Sequence, residues 1–399
     1  MSDEQKYAIL GLNEYIRQGE PQKRERSEAW KVAIGLQQVD RLQTSEYLLD
    51  TAKRHIEGDI SIIEAKQLID SYYKSASGRK VIENDRTEEA DKVAARITEL
   101  IEEKTFSFTP AQLISIHRRL FDGIYKLAGR IRDYNITKNE WVLGGKTVYY
   151  ASADTISDTL NYDMGQEREF SYANMNIDEA IRHLTRFCAN LWQVHAFCEG
   201  NTRTTAVFMI KYLRTLGFNV VNDVFADNSW YFRNALVRAN YKNAIKGIDY
   251  SPVFLERFFR NLLLGEQWDL RNRYLHINPP AEWKEQPNLA VPSKQPTSTP
   301  TSTPTSTPTS TPTSIAYTDN KNIIRLVKAL GEEQLSVKVM MERIGLKDRE
   351  NFLDYSLNPS MNEGYIRMLY PDSPRHPRQK YLLTVKGLAL YNSICHGDS

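Results

Sequence analysis

The chain has 399 residues, 41% of them hydrophobic and 26% charged, with a formal net charge of +2. This length predicts two or more domains, and the small net charge gives no global argument for binding nucleic acid or an anionic membrane. The three scattered cysteines suggest neither a disulfide framework nor a zinc site. The polar N-terminus lacks the apolar core of a signal peptide, and no apolar run is long enough to span a membrane. We therefore expect a cytoplasmic protein with no membrane partner.

Residues 1–78 are predicted to form an N-terminal helical segment. Apolar residues recur at helical spacing in "EAWKVAIGLQQVDRLQTSEYLLD", residues 28–50, and again in "SIIEAKQLIDSYYKS", residues 61–75. We expect helices in both stretches.

Residues 79–275 are predicted to form one mainly helical domain. Further stretches with helical spacing follow one another, and one of them opens with Thr109 and a proline, which suit the N-cap and first turn of a helix. The stretch 130–152 breaks this pattern. It is rich in Ile, Val, Tyr and Trp and carries Gly144 and Gly145 near its centre, which predicts a β-hairpin.

Residues 276–314 are predicted to be a linker, because from Pro296 to Ser314 the chain repeats "PTST". Pro and Thr without large apolar groups form an extended, solvated spacer rather than a core. Residues 315–399 predict a second domain of three short helices and two strands that flank a turn at 371–378, which is the order of a winged helix. The expected fold class is mainly α, with a β-hairpin, a disordered linker and a small α+β winged-helix domain.

The stretch "VHAFCEGNTRTTAVF", Val194 to Phe208, places several reactive side chains just before a helix. The first N–H groups of a helix lack partners and attract phosphate, and Gly200 lets the backbone approach a ligand. Arg203 is a bidentate phosphate donor, while Glu199 beside a phosphate site requires a cation such as Mg²⁺ between them. His195 can take a proton from an attacking hydroxyl. Together these residues predict in-line attack on a metal-bound phosphoryl group.

The segment "HAFCEGNTRT" resembles the motif of the Fic family, HxFx(D/E)GN(G/K)RxxR. The matching positions are His195, Phe197, Glu199, Gly200, Asn201 and Arg203. "LAGRIRDYNI", residues 127–136, is similar to the segment that leads into the Fic flap hairpin, and "RNALVRAN", residues 233–240, is similar to a segment that lines the adenine pocket. The resemblance covers residues 80–265 approximately. It implies a Fic-type helical bundle that transfers AMP from ATP to a Ser, Thr or Tyr hydroxyl of a target protein.

The resemblance also implies roles for individual residues. His195 would be the general base, and Glu199 would bind the Mg²⁺ that bridges the nucleotide phosphates. The residues expected to bind the nucleotide are Gly200, Asn201, Thr202, Arg203, Arg233 and Asn240. The flap would bind a segment of the target as an added strand or simply cover the site. The flap residues expected to contact the target are Val142, Leu143, Thr147 and Val148.

Two positions depart from the motif. Thr202 replaces the usual Gly or Lys, although its hydroxyl could cap the helix. Ala206 replaces the last Arg, which in the family holds the γ-phosphate of ATP. Either another cation, Lys211 or Arg233, holds that phosphate, or the γ-phosphate is not bound in this way. ATP remains the expected donor, with CTP, UTP, GTP or a non-nucleotide donor left open.

The N-terminal stretch 51–73 resembles the antitoxin-like segment that precedes some Fic domains, in which a glutamate enters the nucleotide site and inhibits it. Glu57 and Gly58 match its (S/T)xxxE(G/N) pattern, whereas Lys53 replaces the Ser or Thr. Because Ala206 cannot pair with Glu57, the resemblance leaves Arg203 as its possible partner. Autoinhibition by Glu57 is therefore expected, the alternative being a surface glutamate that precedes a helix-ending glycine.

Three functions remain open at this stage. The first is a protein adenylyltransferase that uses ATP and Mg²⁺ on an unidentified target protein. The second is a related phosphoryl transfer or removal of AMP, and the third is a regulatory module that has lost catalysis and acts through the winged helix. Residues 315–399 carry 12 Lys and Arg against 10 Asp and Glu. This balance favours a protein partner over DNA for the winged helix, and a homodimer is left open.

Overall fold

The structure is a computed structural model that describes residues 12, 20–75, 86–173, 175–220, 223–280, 318–371 and 373–396. The chain forms two compact units. The first contains most residues up to 285, and the second contains the C-terminal residues together with 172–180 and 259–269. No helix in the described ranges has both the length and the apolar character needed to cross a membrane.

The described residues up to 280 are mainly helical, as the periodicity predicted. The α-helices are α1 (Pro21–Gly35), α2 (Glu46–Glu57), α3 (Ile62–Lys74), α4 (Thr87–Glu102), α5 (Pro110–Phe121), α6 (Ile156–Glu169), α7 (Ile177–Val194), α8 (Asn201–Thr215), α9 (Asp223–Ala239) and α10 (Val253–Leu264). A 3-10 turn, Leu36–Asp40, follows α1. The predicted N-cap of α5 is confirmed, because the Thr109 hydroxyl accepts a hydrogen bond from the Gln112 amide. Ser61 and Glu64 form a capping box that starts α3.

The N-terminal helices pack on the helices that follow. A Cβ on Gly35 would lie 2.4 Å from the Cα of Ala226, so the end of α1 crosses α9 at a distance that no other residue type permits. The Ser229 hydroxyl donates to the Gly35 carbonyl at 2.6 Å, and the Arg41 guanidinium lies 4.7 Å from the ring centre of Trp230. The 3-10 turn is thereby fixed against α9. The expected boundary at residue 78 lies outside the described residues.

The stretch 130–152 reverses direction where a hairpin was predicted, but its backbone does not form two strands. A single antiparallel bridge joins Glu140 to Lys146 around a 3-10 turn, Trp141–Leu143, which Gly144 ends at φ = 60°. Side chains take the place of a strand ladder, because the Lys138 amide donates to the Thr147 hydroxyl instead of to a facing carbonyl.

The second unit contains the two predicted strands; the third of the predicted helices is divided into three consecutive helical segments, and one further helix follows the strands. Its elements are α11 (Lys321–Leu330), α12 (Val337–Ile344), α13 (Arg349–Phe352), a π-helical turn (Leu353–Leu357), α14 (Asn358–Asn362), β1 (Ile366–Met368), β2 (Tyr381–Leu383) and α15 (Val385–His396). The strands pair antiparallel, with Ile366 opposite Leu383. Helix α15 was missed because the strand was expected to run on to residue 387, whereas the Thr384 hydroxyl accepts from the Gly387 amide and begins a helix. The expected linker lies mostly outside the described residues.

We expect Gly35→Ala to destabilise the protein by about 1–3 kcal/mol, because the added methyl overlaps the backbone of α9. Gly165→Ala is the matched control, since a Cβ at Gly165 in α6 meets nothing within 4 Å. Alanine there should be neutral or stabilising by up to about 1 kcal/mol. Urea unfolding of both variants measures the difference. Equal behaviour would mean that α1 and α9 are not in close contact.

Candidate functional site

The motif forms the loop between α7 and α8, and a buried arginine holds this loop in place. Arg132 is 2% exposed, and its guanidinium donates to carbonyls at the start of the loop and in the 130–152 stretch. The accepting oxygens belong to Tyr134 at 2.7 Å, Ala151 at 2.5 Å, His195 at 2.8 Å and Val194 at 3.4 Å. A rigid fork with five donors suits this arrangement, and a lysine could not reproduce it. The sequence placed Arg132 in a family-like segment but gave no sign of this role.

His195 lies in this loop with φ = 49°, a left-handed conformation that is uncommon for a residue with a side chain. Its ring packs 4.2 Å from the ring of Tyr150 and edge-on to Trp192 at 5.2 Å. The side chain is buried, yet neither ring nitrogen has a hydrogen-bond partner among the described residues. Burial, followed by the charge of Lys138, holds the pKa of His195 well below its usual value. A neutral imidazole with both nitrogens unengaged suits a proton acceptor.

Gly200 ends the loop and cannot be replaced without strain. It has φ = 74°, and a Cβ would lie 2.3 Å from a ring carbon of Phe121. Helix α8 begins at the next residue, and the Thr204 amide donates to the Gly200 carbonyl at 3.0 Å. The amides before Thr204 have no acceptor within the helix. The start of α8 therefore offers unpaired N–H donors in the same loop as His195, as the sequence predicted for a phosphate site.

The side chains of Asn201 and Thr202 hold this loop. The Asn201 side-chain amide exchanges two hydrogen bonds with the backbone of Phe197, at 2.9 and 2.6 Å. The Thr202 hydroxyl accepts from the Trp192 indole at 2.9 Å and does not cap α8, so the expected cap is wrong. Both side chains are thus engaged within the protein, and their binding of a nucleotide stays a prediction.

His117 supports the loop from α5, and the sequence gave no signal for it. Its Nδ1 accepts from the Gly129 amide at 2.8 Å, so its Nε2 carries the proton and donates to the Glu199 carbonyl at 3.0 Å. The ring also stacks on Phe197, with centroids 3.8 Å apart. Burial, aided by the charge of Arg203, lowers the pKa of His117 to about 4. His117 is therefore a neutral bridge between the loop and the segment before the flap.

Glu199 presents its carboxylate to solvent beside the start of α8. The side chain is 60% exposed, and its carboxylate lies 3.2 Å from the Lys138 ammonium. Within the described ranges, no group of three or more His, Cys, Asp or Glu residues could hold a metal ion. Mg²⁺ is often bound through one or two carboxylates together with substrate phosphates. Glu199 therefore fits a Mg²⁺ ion that binds with a nucleotide.

Arg203 does not extend toward the loop amides as expected but is fully buried among acids. Its guanidinium pairs with Asp40 and Glu89 at 2.7 Å each, and it donates to Tyr125 at 2.9 Å and Gln37 at 3.1 Å. Burial alone would disfavour the charge, but the neighbouring carboxylates raise the pKa of Arg203 above its usual value. Binding of a phosphate would require the guanidinium to leave at least one of these acids.

Arg233 is also engaged in a pair that the sequence did not predict. It donates to the Glu140 carboxylate at 2.6 Å, and Glu140 is completely buried in the 130–152 stretch. The Tyr150 hydroxyl donates to the same carboxylate at 3.1 Å. Since Tyr150 packs on the ring of His195, the Arg233–Glu140 pair helps to position the tyrosine beside that imidazole.

Asn240 and Lys211, for which nucleotide contacts were considered, both make hydrogen bonds within the protein. Asn240 donates to carbonyls in α7 and α9 at 3.0 Å. Lys211 donates to the carbonyls of Leu100 and Glu103 at 2.7 Å, which caps the end of α4. Lys211 is thus no substitute for the arginine that Ala206 replaces.

The flap residues expected to contact a target are mostly buried. Val142, Leu143 and Val148 are at most 1% exposed, so their side chains cannot form a binding surface in this state. Thr147 accepts from the Lys138 amide at 3.1 Å and fixes the shape of the stretch. The apolar residues of this stretch pack in the core, and the sequence pattern did not indicate this.

Glu57 lies at the end of α2 and does not contact Arg203. Its carboxylate pairs with the Lys23 ammonium at 3.0 Å, and the acidic partners of Arg203 are Asp40 and Glu89. Gly58 ends the helix at φ = 91°, as the sequence predicted. The expected Glu57–Arg203 contact is therefore wrong for this structure.

The depressed pKa of His117 predicts a pH dependence. Below the usual histidine value the unfolded chain binds a proton that the folded chain excludes, so stability falls as pH decreases from about 6.5 through about 4. We expect His117→Gln to lose about 2 kcal/mol less stability than wild type between pH 7 and pH 5. Urea unfolding at pH 7 and pH 5 measures this. An equal loss in both proteins would mean that His117 is protonated in the fold.

Comparison with known proteins gives two matched regions. Residues 107–213 match the Fic/DOC family, and residues 321–384 match the C-terminal domain described as filamentation induced by cAMP protein Fic-like. Over 186 residues the chain is 22% identical to protein adenylyltransferase VbhT of Bartonella schoenbuchensis, an alignment that covers 45% of this chain and 36% of that protein. The chain thus matches just over a third of the length of this curated relative.

A solved structure of a Fic family protein from Desulfovibrio desulfuricans G20 aligns over 96% of this chain and 97% of that chain, with 16% identity and a TM-score of 0.42. The first matched region contains the whole motif loop together with His117, Arg132 and Lys138. On these two family matches, the chain carries a Fic/DOC domain at residues 107–213 and a Fic-like C-terminal domain at residues 321–384.

Proposed function

We propose that this protein transfers AMP from ATP to a hydroxyl group of a target protein. The observation that carries the proposal is the buried, neutral imidazole of His195, whose two ring nitrogens have no partner among the described residues. It lies in one loop with the unpaired amides of α8 and the exposed carboxylate of Glu199. The similarity to a relative named a protein adenylyltransferase supports the same reaction.

The proposed reaction assigns one task to each part of the loop. The hydroxyl oxygen of the target attacks the α-phosphorus of ATP, the bond to pyrophosphate breaks, and His195 accepts the hydroxyl proton. The amides at the start of α8 hold phosphate oxygens, and their positive partial charge stabilises the charge that develops. Glu199 would hold Mg²⁺, which supplies charge neutralisation on the phosphates when bound.

Two features of the site limit how the donor is bound. Ala206 is completely buried and offers no charge to a γ-phosphate, and Lys211 caps α4. In the proposed reaction, the protein therefore recognises ATP through its α- and β-phosphates. A nucleotide with another base remains an outcome of the experiment below.

Incubation with Mg²⁺ and ATP labelled at the α- or the γ-phosphate tests the reaction. We expect label on protein from the α-position, and His195→Ala should reduce it by about a hundredfold to ten-thousandfold because the general base is lost. The same assay with α-labelled CTP, UTP and GTP identifies the base. Label transferred from the γ-position alone would indicate a kinase. If no nucleotide labels any protein, including proteins of a cell extract, the proposed transfer is wrong.

We propose further that the N-terminal segment restrains this activity through Arg203. Asp40 and Gln37 lie in the 3-10 turn that α1 and α9 fix, and both hold the guanidinium. While these contacts persist, Arg203 cannot also bind the phosphates. This assigns the inhibitory contact to Asp40, since Glu57 pairs with Lys23.

Asp40→Asn should raise the rate of AMP transfer severalfold, because it weakens the hold on Arg203. Glu57→Gly should stay close to the wild-type rate. Asp50→Asn is the matched control, as Asp50 is an exposed acid of α2 that faces Lys53 at 3.4 Å. Transfer is measured with α-labelled ATP alongside the thermal midpoint of each variant. A rise in Glu57→Gly alone would return inhibition to Glu57, and a lower rate in a stably folded Asp40→Asn would contradict inhibition through Asp40.

A further inference from the structure

Lys138 is a cation of this site that the motif does not include. Its ammonium lies 3.2 Å from the carboxylate of Glu199, across 61 positions of sequence. The charge of Lys138 also reaches His195, where it helps to keep the imidazole neutral. One lysine is therefore near both the proposed base and the proposed metal ligand, beside the unpaired amides of α8.

The main chain of Lys138 is held in place, whereas its side chain reaches the surface of the site. Its amide donates to the Thr147 hydroxyl at 3.1 Å. Two residues later, Glu140 is buried and pairs with Arg233. The ammonium, by contrast, lies at the surface of the site, where the Lys138 side chain is 25% exposed and that of Glu199 is 60% exposed.

The contact of Lys138 is easy to exchange, unlike those of the neighbouring cations. Arg203 and Arg233 pair with buried carboxylates, and Arg132 is bound by buried carbonyls. An ion pair between exposed groups contributes only about 0–1 kcal/mol. A nucleotide phosphate carries more charge than one carboxylate, and lysine is a common point-charge partner of phosphate.

We propose that Lys138 is a phosphate-binding residue that exchanges partners: it pairs with Glu199 in the nucleotide-free protein and with a donor phosphate when nucleotide is bound. This inference rests on the proposed function, because it takes a nucleoside triphosphate as the ligand. The exchange leaves the Glu199 carboxylate to a divalent cation, so one charge is replaced by another of the same sign. The carboxylate of Glu199 therefore has a cationic partner in both states.

Binding of a non-hydrolysable ATP analogue, measured by calorimetry in EDTA, tests the exchange without metal and without catalysis. Lys138→Gln should weaken binding by about tenfold or more, as expected for loss of a charge-assisted contact, and Lys138→Arg should restore part of it. Glu199→Gln should strengthen binding in EDTA, because it releases Lys138 and removes a repelling charge. In the double variant, Lys138→Gln with Glu199→Gln, the gain from Glu199→Gln should be smaller than in the wild-type background.

Lys146→Gln is the matched control, since Lys146 is an exposed lysine of the same turn and its loss changes the net charge equally. It should bind like wild type. If wild type binds the analogue and Lys138→Gln binds it equally well, the role of Lys138 is wrong while the proposed function stands. If wild type binds neither the analogue in EDTA nor its Mg²⁺ complex, the role of Lys138 and the proposed function are both wrong. Equal losses in Lys138→Gln and Lys146→Gln would reduce the effect to net charge and overturn the proposal.

Discussion

The site depends on the buried guanidinium of Arg132 and the carbonyls that surround it. A charge taken out of water is costly unless its donors are satisfied, and here backbone oxygens of the motif loop and of the 130–152 stretch satisfy them. The loop cannot relax without leaving this charge unpaired. That constraint sustains the left-handed conformation of His195 and keeps its ring between Tyr150 and Trp192.

The remaining charges differ in how firmly they are held, and the difference follows burial. Arg203 with Glu89, and Arg233 with Glu140, are pairs that would leave a buried ion behind if one partner moved. They fix α4, the 130–152 stretch and α9 around the loop. The pair of Lys138 and Glu199 is exposed and costs little to separate. Rigid pairs therefore build the site, and a weak pair lies where a charged ligand would enter.

Arg203 connects the motif to the N-terminal segment. It is a motif residue, yet its partners come from a 3-10 turn of the N-terminal segment as well as from α4. The close approach of Gly35 to Ala226 fixes that turn. The motif helix and the packing of the N-terminal helices are thus linked through one guanidinium.

The sequence by itself determined the helical character, the N-cap at Thr109, the order of elements in the second unit and the order of reactive groups around His195, because these follow from local periodicity and spacing. It could not indicate His117, Arg132, Lys138 or Glu140, which lie far from the motif along the chain and meet it only after folding. Nor could it show that Val142 and Val148 turn inward or that Arg203 pairs with Asp40. Local patterns report which side chains are present, whereas burial and the choice of ionic partner are decided by the packing of distant segments.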